Sequence, residues 1–273
     1  MKLDWEEGKY YCFGCDARGN AYDFVKSAEG VSDIEAMKRY VKILRSQKVR
    51  KIKANTVHKQ KVDYQYALTI ADDYYTNLKT IDWYEEDGPE IDYMLDRGFS
   101  RKILNEVGMK YTYNSSYPLI LPMRDNGTFV GWVCRTTDKR IEKRRKYLYN
   151  EGFHRSTTLC GEYHSKTVVI CEGYMDMLKF KMYGIENVVA ILGWKISGQQ
   201  IEKLKKAGVK LVISALDNDP CGKKGTEYLK QFFDVIPFQY PDGVKDSGEM
   251  SKKQFNCAYV KTKNLVKKRR KLK

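Results

Sequence analysis

No apolar run in this 273-residue chain approaches the length of a membrane span, and its first residues carry no signal-peptide pattern. These two absences leave a cytosolic protein as the expectation, or one at work in a host cytosol if the chain is viral. Regular cysteine spacing is missing too. Seven cysteines are scattered through a chain long enough to bury a sizeable core, which argues against a disulfide framework. Only Cys12 and Cys15 stand as a Cys-x-x-Cys pair; the other five read as small buried apolar residues. No internal repeat of solenoid type occurs. Acidic residues are absent from two long stretches. Between Lys38 and Lys61 there are ten Lys or Arg and no Asp or Glu, and the last thirteen residues hold eight basic side chains and no acid.

What is present is positive charge, +15 in formal terms, gathered in clusters. A third cluster, Lys139-Arg140 and Lys143-Arg144-Arg145-Lys146, lies between those two stretches. One such run is an ordinary solvated face. Three of them around an acidic site favour a polyanion as partner, because each phosphate neutralised releases counterions. The 21 tyrosines read mainly as amphipathic residues at the edge of the core.

The acidic site consists of two turns, Cys171-Glu172-Gly173-Tyr174-Met175-Asp176 and Leu216-Asp217-Asn218-Asp219-Pro220. Each follows a short apolar run that reads as a buried strand of a parallel sheet, Thr167-Val168-Val169-Ile170 and Leu211-Val212-Ile213. Carboxylates released at the carboxyl ends of neighbouring parallel strands meet in the crevice where such sheets place ligands. Glu172, Asp217 and Asp219 then repel one another unless a cation sits between them, and an all-oxygen donor set suits Mg²⁺ or Mn²⁺. Asp176 opens the next helix, where it caps or binds metal through water. The competing reading is that these acids are turn residues and helix caps; it weakens when both turns occur in the register the sheet requires.

The remaining pattern predicts a small β-ribbon over residues 1–30, with Trp5 to Phe13 as a hairpin. A capping box at Ser32-Asp33-Ile34-Glu35 precedes a helix, and a basic linker runs through 49–61. A helix over Tyr64–Asn77 should place Tyr66, Ile70 and Tyr74 near one face. Short helices follow at 90–95 and 101–107, the second capped by Ser100, and Asp125-Asn126-Gly127 turns a hairpin between 119–123 and 128–133. From Lys166 onward strands at 167–171, 187–192 and 210–216 alternate with helices at 175–183, 197–206 and 223–233. Phe238 to Pro241 reads as a fourth strand, and the chain after Cys257 as a mobile tail.

The stretch Thr167–Phe233 resembles a Toprim domain, the fold shared by bacterial-type primases, type IA and type II topoisomerases and some nucleases. Its marks are the glutamate after the first strand and the Asp-x-Asp after the third. Asn187-Val188-Val189-Ala190-Ile191-Leu192-Gly193 is similar to the primase form of the middle strand, with Trp194 where the family usually has Thr. Arg97-Gly98-Phe99-Ser100 resembles the helix pair that opens the primase catalytic core. Arg135, Lys146 and Arg155, in Gly131-Trp132-Val133-Cys134-Arg135, Lys146-Tyr147-Leu148 and Phe153-His154-Arg155, resemble that core's basic residues; with Arg97 and Lys223 they are implied to bind template or nucleotide. Cys12-Phe13-Gly14-Cys15 with Asn20–Val25 resembles the second half of a primase zinc ribbon.

Two departures accompany the resemblance. A zinc ribbon needs four ligands, and only Cys12 and Cys15 are here. Either the start lies upstream, or another polypeptide supplies the rest, or the knuckle is a metal-free relic; His58 reads as a linker residue. In the late acidic segment Lys245-Asp246-Ser247-Gly248-Glu249, Asp246 matches an acid that helps hold metal, while Gly248 replaces the next, leaving a shallower site unless Glu249 compensates.

The implied fold is α/β. A Toprim-type parallel sheet with flanking helices at 166–256 is preceded by a mixed α+β primase-core subdomain at 64–165, a basic linker at 49–63 and a partial zinc-ribbon segment at 1–48. A basic tail fills 257–273. The implied activity is a DNA primase joining ribonucleoside triphosphates into an RNA primer on single-stranded DNA, with Glu172, Asp217 and Asp219 catalytic, Mg²⁺ or Mn²⁺ at the carboxylates and Zn²⁺ at the cysteines. A separate replicative helicase is the implied partner and a bacteriophage the implied source. Two alternatives stay open: a Toprim-family nuclease, and a catalytically weak DNA-binding accessory subunit of a replisome.

Overall fold

The computed structural model describes residues 64–78, 87–112 and 115–271, with short segments at 2–4, 9–11, 18–20, 23–25 and 35–36. It divides into two units, Met1–Lys61 and Val62–Lys273.

In the first unit, β1 (Lys2–Asp4), β2 (Lys9–Tyr11) and β3 (Arg18–Asn20) form an antiparallel sheet in that order. Tyr10 pairs with Leu3 on one side and Gly19 on the other. Its ring is buried edge-on against Phe24, 5.1 Å between centroids. A β-ribbon over these residues is as expected, but the hairpin pairs Lys2–Asp4 with Lys9–Tyr11 and so starts before Trp5, and a third strand is added. Cys12, Cys15, the Ser32 capping box and the 49–61 linker lie outside the described residues.

The second unit begins with α1 (Tyr64–Asn77), α2 (Pro89–Asp96) and α3 (Arg101–Glu106). Pro89 opens α2 where a missing N–H costs nothing, and the Ser100 hydroxyl accepts from the Ile103 N–H to cap α3. The inward face of α1 runs through Ala71 and Tyr75, not Tyr74, which is 44% exposed. One helical position separates the two readings: the Trp132 indole donates to the Ala71 carbonyl and Tyr75 stacks on Phe129, which sets the rotation.

A single large sheet follows. Its strands are β4 (Lys110–Tyr111), β5 (Leu119–Asp125), β6 (Thr128–Arg135), β7 (Tyr147–Tyr149), β8 (Cys160–Gly161), β9 (Thr167–Cys171), β10 (Val188–Ala190), β11 (Leu211–Ala215) and β12 (Asp234–Pro237). They lie in the order β12-β11-β9-β10-β8-β5-β6-β7, with β4 paired to β5. The four strands from β9 to β12 that share the middle and one edge are mutually parallel. The β5–β6 hairpin turns at Asn126 and Gly127, both at positive φ, as a two-residue turn that follows strand twist demands.

The short helix α4 (Lys139–Glu142) lies between β6 and β7 in the chain, and helices α5 (Tyr174–Met182), α6 (Gly198–Lys206), α7 (Pro220–Leu229) and α8 (Lys252–Lys271) cover the parallel half. The strand period of two sorts the side chains between the faces. Val169, Cys171, Ile213 and Ala215 join the core of α5 and α8, whereas Val168, Ile170 and Val212 join that of α6 and α7. Both faces are therefore covered, which is why these strands read as unbroken apolar runs.

Two expectations change. The fourth parallel strand is Asp234–Pro237, four residues earlier than Phe238–Pro241; the Phe238 N–H makes the closing ladder bond to the Ser214 carbonyl at 2.8 Å, and its ring packs edge-on against Phe180, 5.3 Å away. The chain after Cys257 is no tail but the continuation of α8, because Phe255, Ala258, Thr262 and Val266 recur at helical spacing as buried residues. Phe255 touches Phe180 at 4.9 Å and Tyr183 at 4.5 Å between centroids. Phe255→Ala should cost about 3–5 kcal/mol in urea unfolding and expose residues 252–271 to limited proteolysis; a loss below about 1 kcal/mol would show that α8 is not part of this core.

Candidate active site

Parallel pairing sets the site. Cys171 at the end of β9 lies level with Ala215 at the end of β11, so Glu172 and Asp217 leave adjacent strands at one edge of the sheet. From there α5 and α7 depart onto opposite faces, which opens a crevice between the two strand ends. Gly222 lets α7 close over the acidic turn, since a Cβ there would overlap the Asp217 carbonyl.

Asp176, Asp217, Asp219 and Asp246 each have a local donor. Asp219 caps α7, its Oδ1 accepting from the Cys221 and Gly222 N–H groups at 2.9 Å. The Asp217 Oδ2 faces the Lys245 ammonium at 3.6 Å, and the Asn218 N–H donates to the Lys245 carbonyl. Asp176 bridges elements: Oδ2 accepts from the Gly173 N–H, while Oδ1 accepts from the Ser247 hydroxyl and the Gly248 N–H, both at 3.0 Å. Asp246 caps the short 3-10 turn Ser247–Glu249 through the Glu249 N–H. The Glu249 carboxylate accepts from the Lys245 N–H, turned back on its own loop. A side chain at Gly248 would start among Asp246 Oδ1, Asp176 Oδ1 and Arg97 Nη2, which lie 3.1, 3.5 and 3.9 Å from the place of its Cβ.

These groups sense one another. Burial, then Asp217, Asp176 and Asp219, push the Glu172 carboxyl up to about 7, with Lys245 opposing. Burial and Asp246 push Asp176 up to about 7 against the Ser247 hydrogen bond. Asp217 is also raised, by burial and then Asp246, and Lys245 works the other way. Protons are held here because like charges are gathered and partly desolvated. Among the described residues, no three His, Cys, Asp or Glu side chains form a ready-made cation cage. The donor chemistry nonetheless fits a hard divalent cation: acidic oxygens at one sheet edge, with Glu172, Asp176 and Asp217 raised by burial and by their neighbours.

The expected cations divide by environment. Arg97 lies over the Tyr93 ring at 5.8 Å, and its Nη2 borders the backbone of Gly248. Its Nε is enclosed and has no acceptor among the described residues. Arg135 is 3% exposed and fully engaged, donating to the Tyr93 and Tyr147 hydroxyls and to Glu142. It shapes a wall and does not face solvent. Lys146, Arg155 and Lys223 are exposed, Arg155 lying over the Tyr149 ring at 5.6 Å.

The site also contains residues that the sequence reading did not single out. Lys245 is one, the counter-ion of Asp217. Lys179 is another: 2% exposed, it donates to the carbonyls of Arg97 and Gly98 at 2.9 Å, pinning the turn that carries Arg97. Its place in the run Met177-Leu178-Lys179-Phe180 was a legible sign of burial.

Residues 166–244 match the model of the Toprim domain, and residues 1–57 that of the CHC2 zinc finger. A DNA primase of Clostridium acetobutylicum is 28% identical over 305 aligned residues, covering 92% of this chain and 49% of that protein. The DNA primase of Buchnera aphidicola is 26% identical, covering 81% and 46% respectively. The chain is a relative of the DnaG-type primases. It spans about half the length of these relatives. The DnaG fold is shared as well: an Aquifex aeolicus primase structure comprising zinc-binding and RNA polymerase domains aligns with 96% of this chain and 74% of its own at a TM-score of 0.57 and 22% identity. A DnaG catalytic domain bound to single-stranded DNA aligns with 74% of this chain and 78% of its own at the same score and 19% identity.

The raised carboxyls have a consequence for stability. Glu172 and Asp176 bind protons more tightly folded, near 7, than at their ordinary values of 4.5 and 3.8. Their contribution is present below about pH 4 and is lost as pH rises through about 7. In EDTA, thermal unfolding of Glu172→Gln should therefore gain on wild type as pH goes from about 4 to 8. A constant difference across that range would contradict it.

Proposed function

We propose that the chain is a DNA primase that joins ribonucleoside triphosphates into an RNA primer on a single-stranded DNA template, by metal-dependent nucleotidyl transfer. The observation that carries this reading is the placement of Glu172 and Asp217 at adjacent strand ends, with Asp219 and Asp176 close enough to raise the Glu172 carboxyl. The primase relatives and the structural neighbour bound to single-stranded DNA support the choice of reaction and template.

Glu172, Asp217 and Asp219 would hold Mg²⁺ or Mn²⁺, with Asp176 and Asp246 behind them. Bound there, the cation supplies positive charge to the triphosphate and acidifies the attacking 3′-hydroxyl. Without a cation the Glu172 carboxyl is raised to about 7; a cation held there would lower it and keep the carboxylate ionised, ready to ligate the metal or to accept a proton from that hydroxyl. Lys245 holds Asp217 in place until the substrate is bound. Arg97, whose Nη2 reaches the Gly248 turn beside Asp176, is placed to donate to a phosphate oxygen. Lys146, Arg155 and Lys223 add long-range attraction for template or nucleotide, and Arg135 orients Tyr93 beneath Arg97 and holds the Tyr147 hydroxyl. The zinc-finger match supports Zn²⁺ at Cys12 and Cys15. A separate replicative helicase as partner and a cytoplasmic site of action complete the reading; no helix among the described residues is long and apolar enough to cross a membrane.

The test is incorporation of labelled ribonucleotides on single-stranded DNA with Mg²⁺. Asp217→Asn should lower it by about 10²- to 10³-fold, the scale of losing one electrostatic partner in a transition state. Cleavage of the DNA without triphosphates would indicate a nuclease instead. DNA binding without synthesis, unchanged in Glu172→Ala, would indicate an accessory subunit. Asp246→Asn tests the second tier of acids and should cost less than Asp217→Asn, because Asp246 chiefly caps its own turn.

A further inference from the structure

One side chain at this edge of the sheet has no place in the mechanism above. Trp194 lies in the loop after β10 and is 45% exposed. Among the described residues its indole makes no ring contact. An aromatic ring of this size left in water is costly unless something covers it.

The loop that carries it is rigid at both ends. Ile191 continues the ladder by donating to the Cys171 carbonyl, which sets the start of the loop level with Glu172. Leu192 then takes a positive φ of 58°, a conformation that L side chains adopt only at a cost. The Trp194 carbonyl rests directly on Gly225 of α7, where a Cβ would overlap it. Beyond it Lys195 lies over the Tyr228 ring at 4.2 Å, Ile196 is buried, and Ser197 and Gln200 form a reciprocal cap on α6. Strain at Leu192 and close approach at Gly225 thus fix the backbone of an exposed indole.

Its surroundings are cationic. Gly225 is six residues beyond Asp219, about 9 Å along the axis of α7. Lys223 and Lys224, between them, are exposed. Gln200 donates to the carbonyls of Arg155 and Thr158, so the segment bearing Arg155 is fastened to the same corner. A fixed aromatic face beside exposed cations is the arrangement that holds a stacked base with its phosphate.

From this we infer that Trp194 is a stacking platform for one base of a single-stranded polynucleotide, with Lys223 and Lys224 taking the adjoining phosphates. This rests on the proposed function for the identity of the strand as template, but binding itself is independent of synthesis. A strand and not a free nucleotide is favoured because the exposed cations come from two segments of this corner, Lys223 and Lys224 on α7 and Arg155 on the segment that Gln200 fastens.

The experiment is anisotropy of a labelled oligo(dT) titrated with the full chain, without metal or triphosphate. Wild type, Trp194→Ala and Trp194→Phe are compared at several salt concentrations. Trp194→Ala should weaken binding about tenfold and Trp194→Phe less than about threefold. The salt slope should not change, since no phosphate contact is removed. Equal affinity of Trp194→Ala and wild type would overturn the inference, as would equal losses in the Ala and Phe variants. Unchanged oligonucleotide binding with weakened binding of a fluorescent ribonucleoside triphosphate would also overturn it, by assigning the ring to the nucleotide. An unshifted melting temperature in Trp194→Ala shows that the fold is intact. If wild type makes no primer yet loses oligonucleotide affinity in Trp194→Ala, the primase reading fails and the platform stands.

Discussion

The parallel ladder between β9 and β11 forces two acids into one crevice. Five residues of each strand lie in register, and Glu172 and Asp217 follow from their ends. Side chains of Val169, Cys171, Ile213 and Ala215 lock that register on one face, and Val168, Ile170 and Val212 on the other. A slip of one residue would invert every one of those side chains. The core thus resists the only easy way in which the repelling carboxylates could move apart.

The energetic conflict so created is met by donors at close range. Asp219 has the first turn of α7, Asp176 has the Ser247–Gly248 turn, and Asp217 has Lys245. Glu172 is the least supported, and its carboxyl is raised to about 7. Stability is given up at the point where chemistry needs charge, the familiar trade between a quiet core and a working site. The aromatic cluster of Phe180, Phe238 and Phe255, where α5 and α8 meet, offsets it.

Much of this was legible in the sequence because the signals were local. Short apolar runs followed by Glu-Gly or Asp-x-Asp gave the strands and their acidic turns, and Asp-Asn-Gly gave the hairpin. What failed depended on tertiary partners. Residues 238–241 have strand composition, yet the strand is Asp234–Pro237 and the ladder closes at the Phe238 N–H, whose ring is held by Phe180 and Phe255. The basic character of the last residues masked a buried stripe at Phe255, Ala258, Thr262 and Val266 that continues α8. Among the site residues, the sequence showed that Asp176 opens a helix but not that it reaches Ser247 and Gly248, 71 and 72 positions away. Lys245 was visible as a neighbour of Asp246 and became a partner of Asp217 only through the fold of its loop.

Arg135 shows that counting charges overstates the field a polyanion meets. Its guanidinium is enclosed by Tyr93, Tyr147 and Glu142, and it contributes to the formal +15 without facing solvent. Lys110 and Lys179 are likewise interior, their ammonium groups turned to backbone carbonyls of α1 and of the Arg97 turn. Such cations act as fasteners between segments. They exchange no counterions with the solution, so the thermodynamic valence of this surface is smaller than its composition implies.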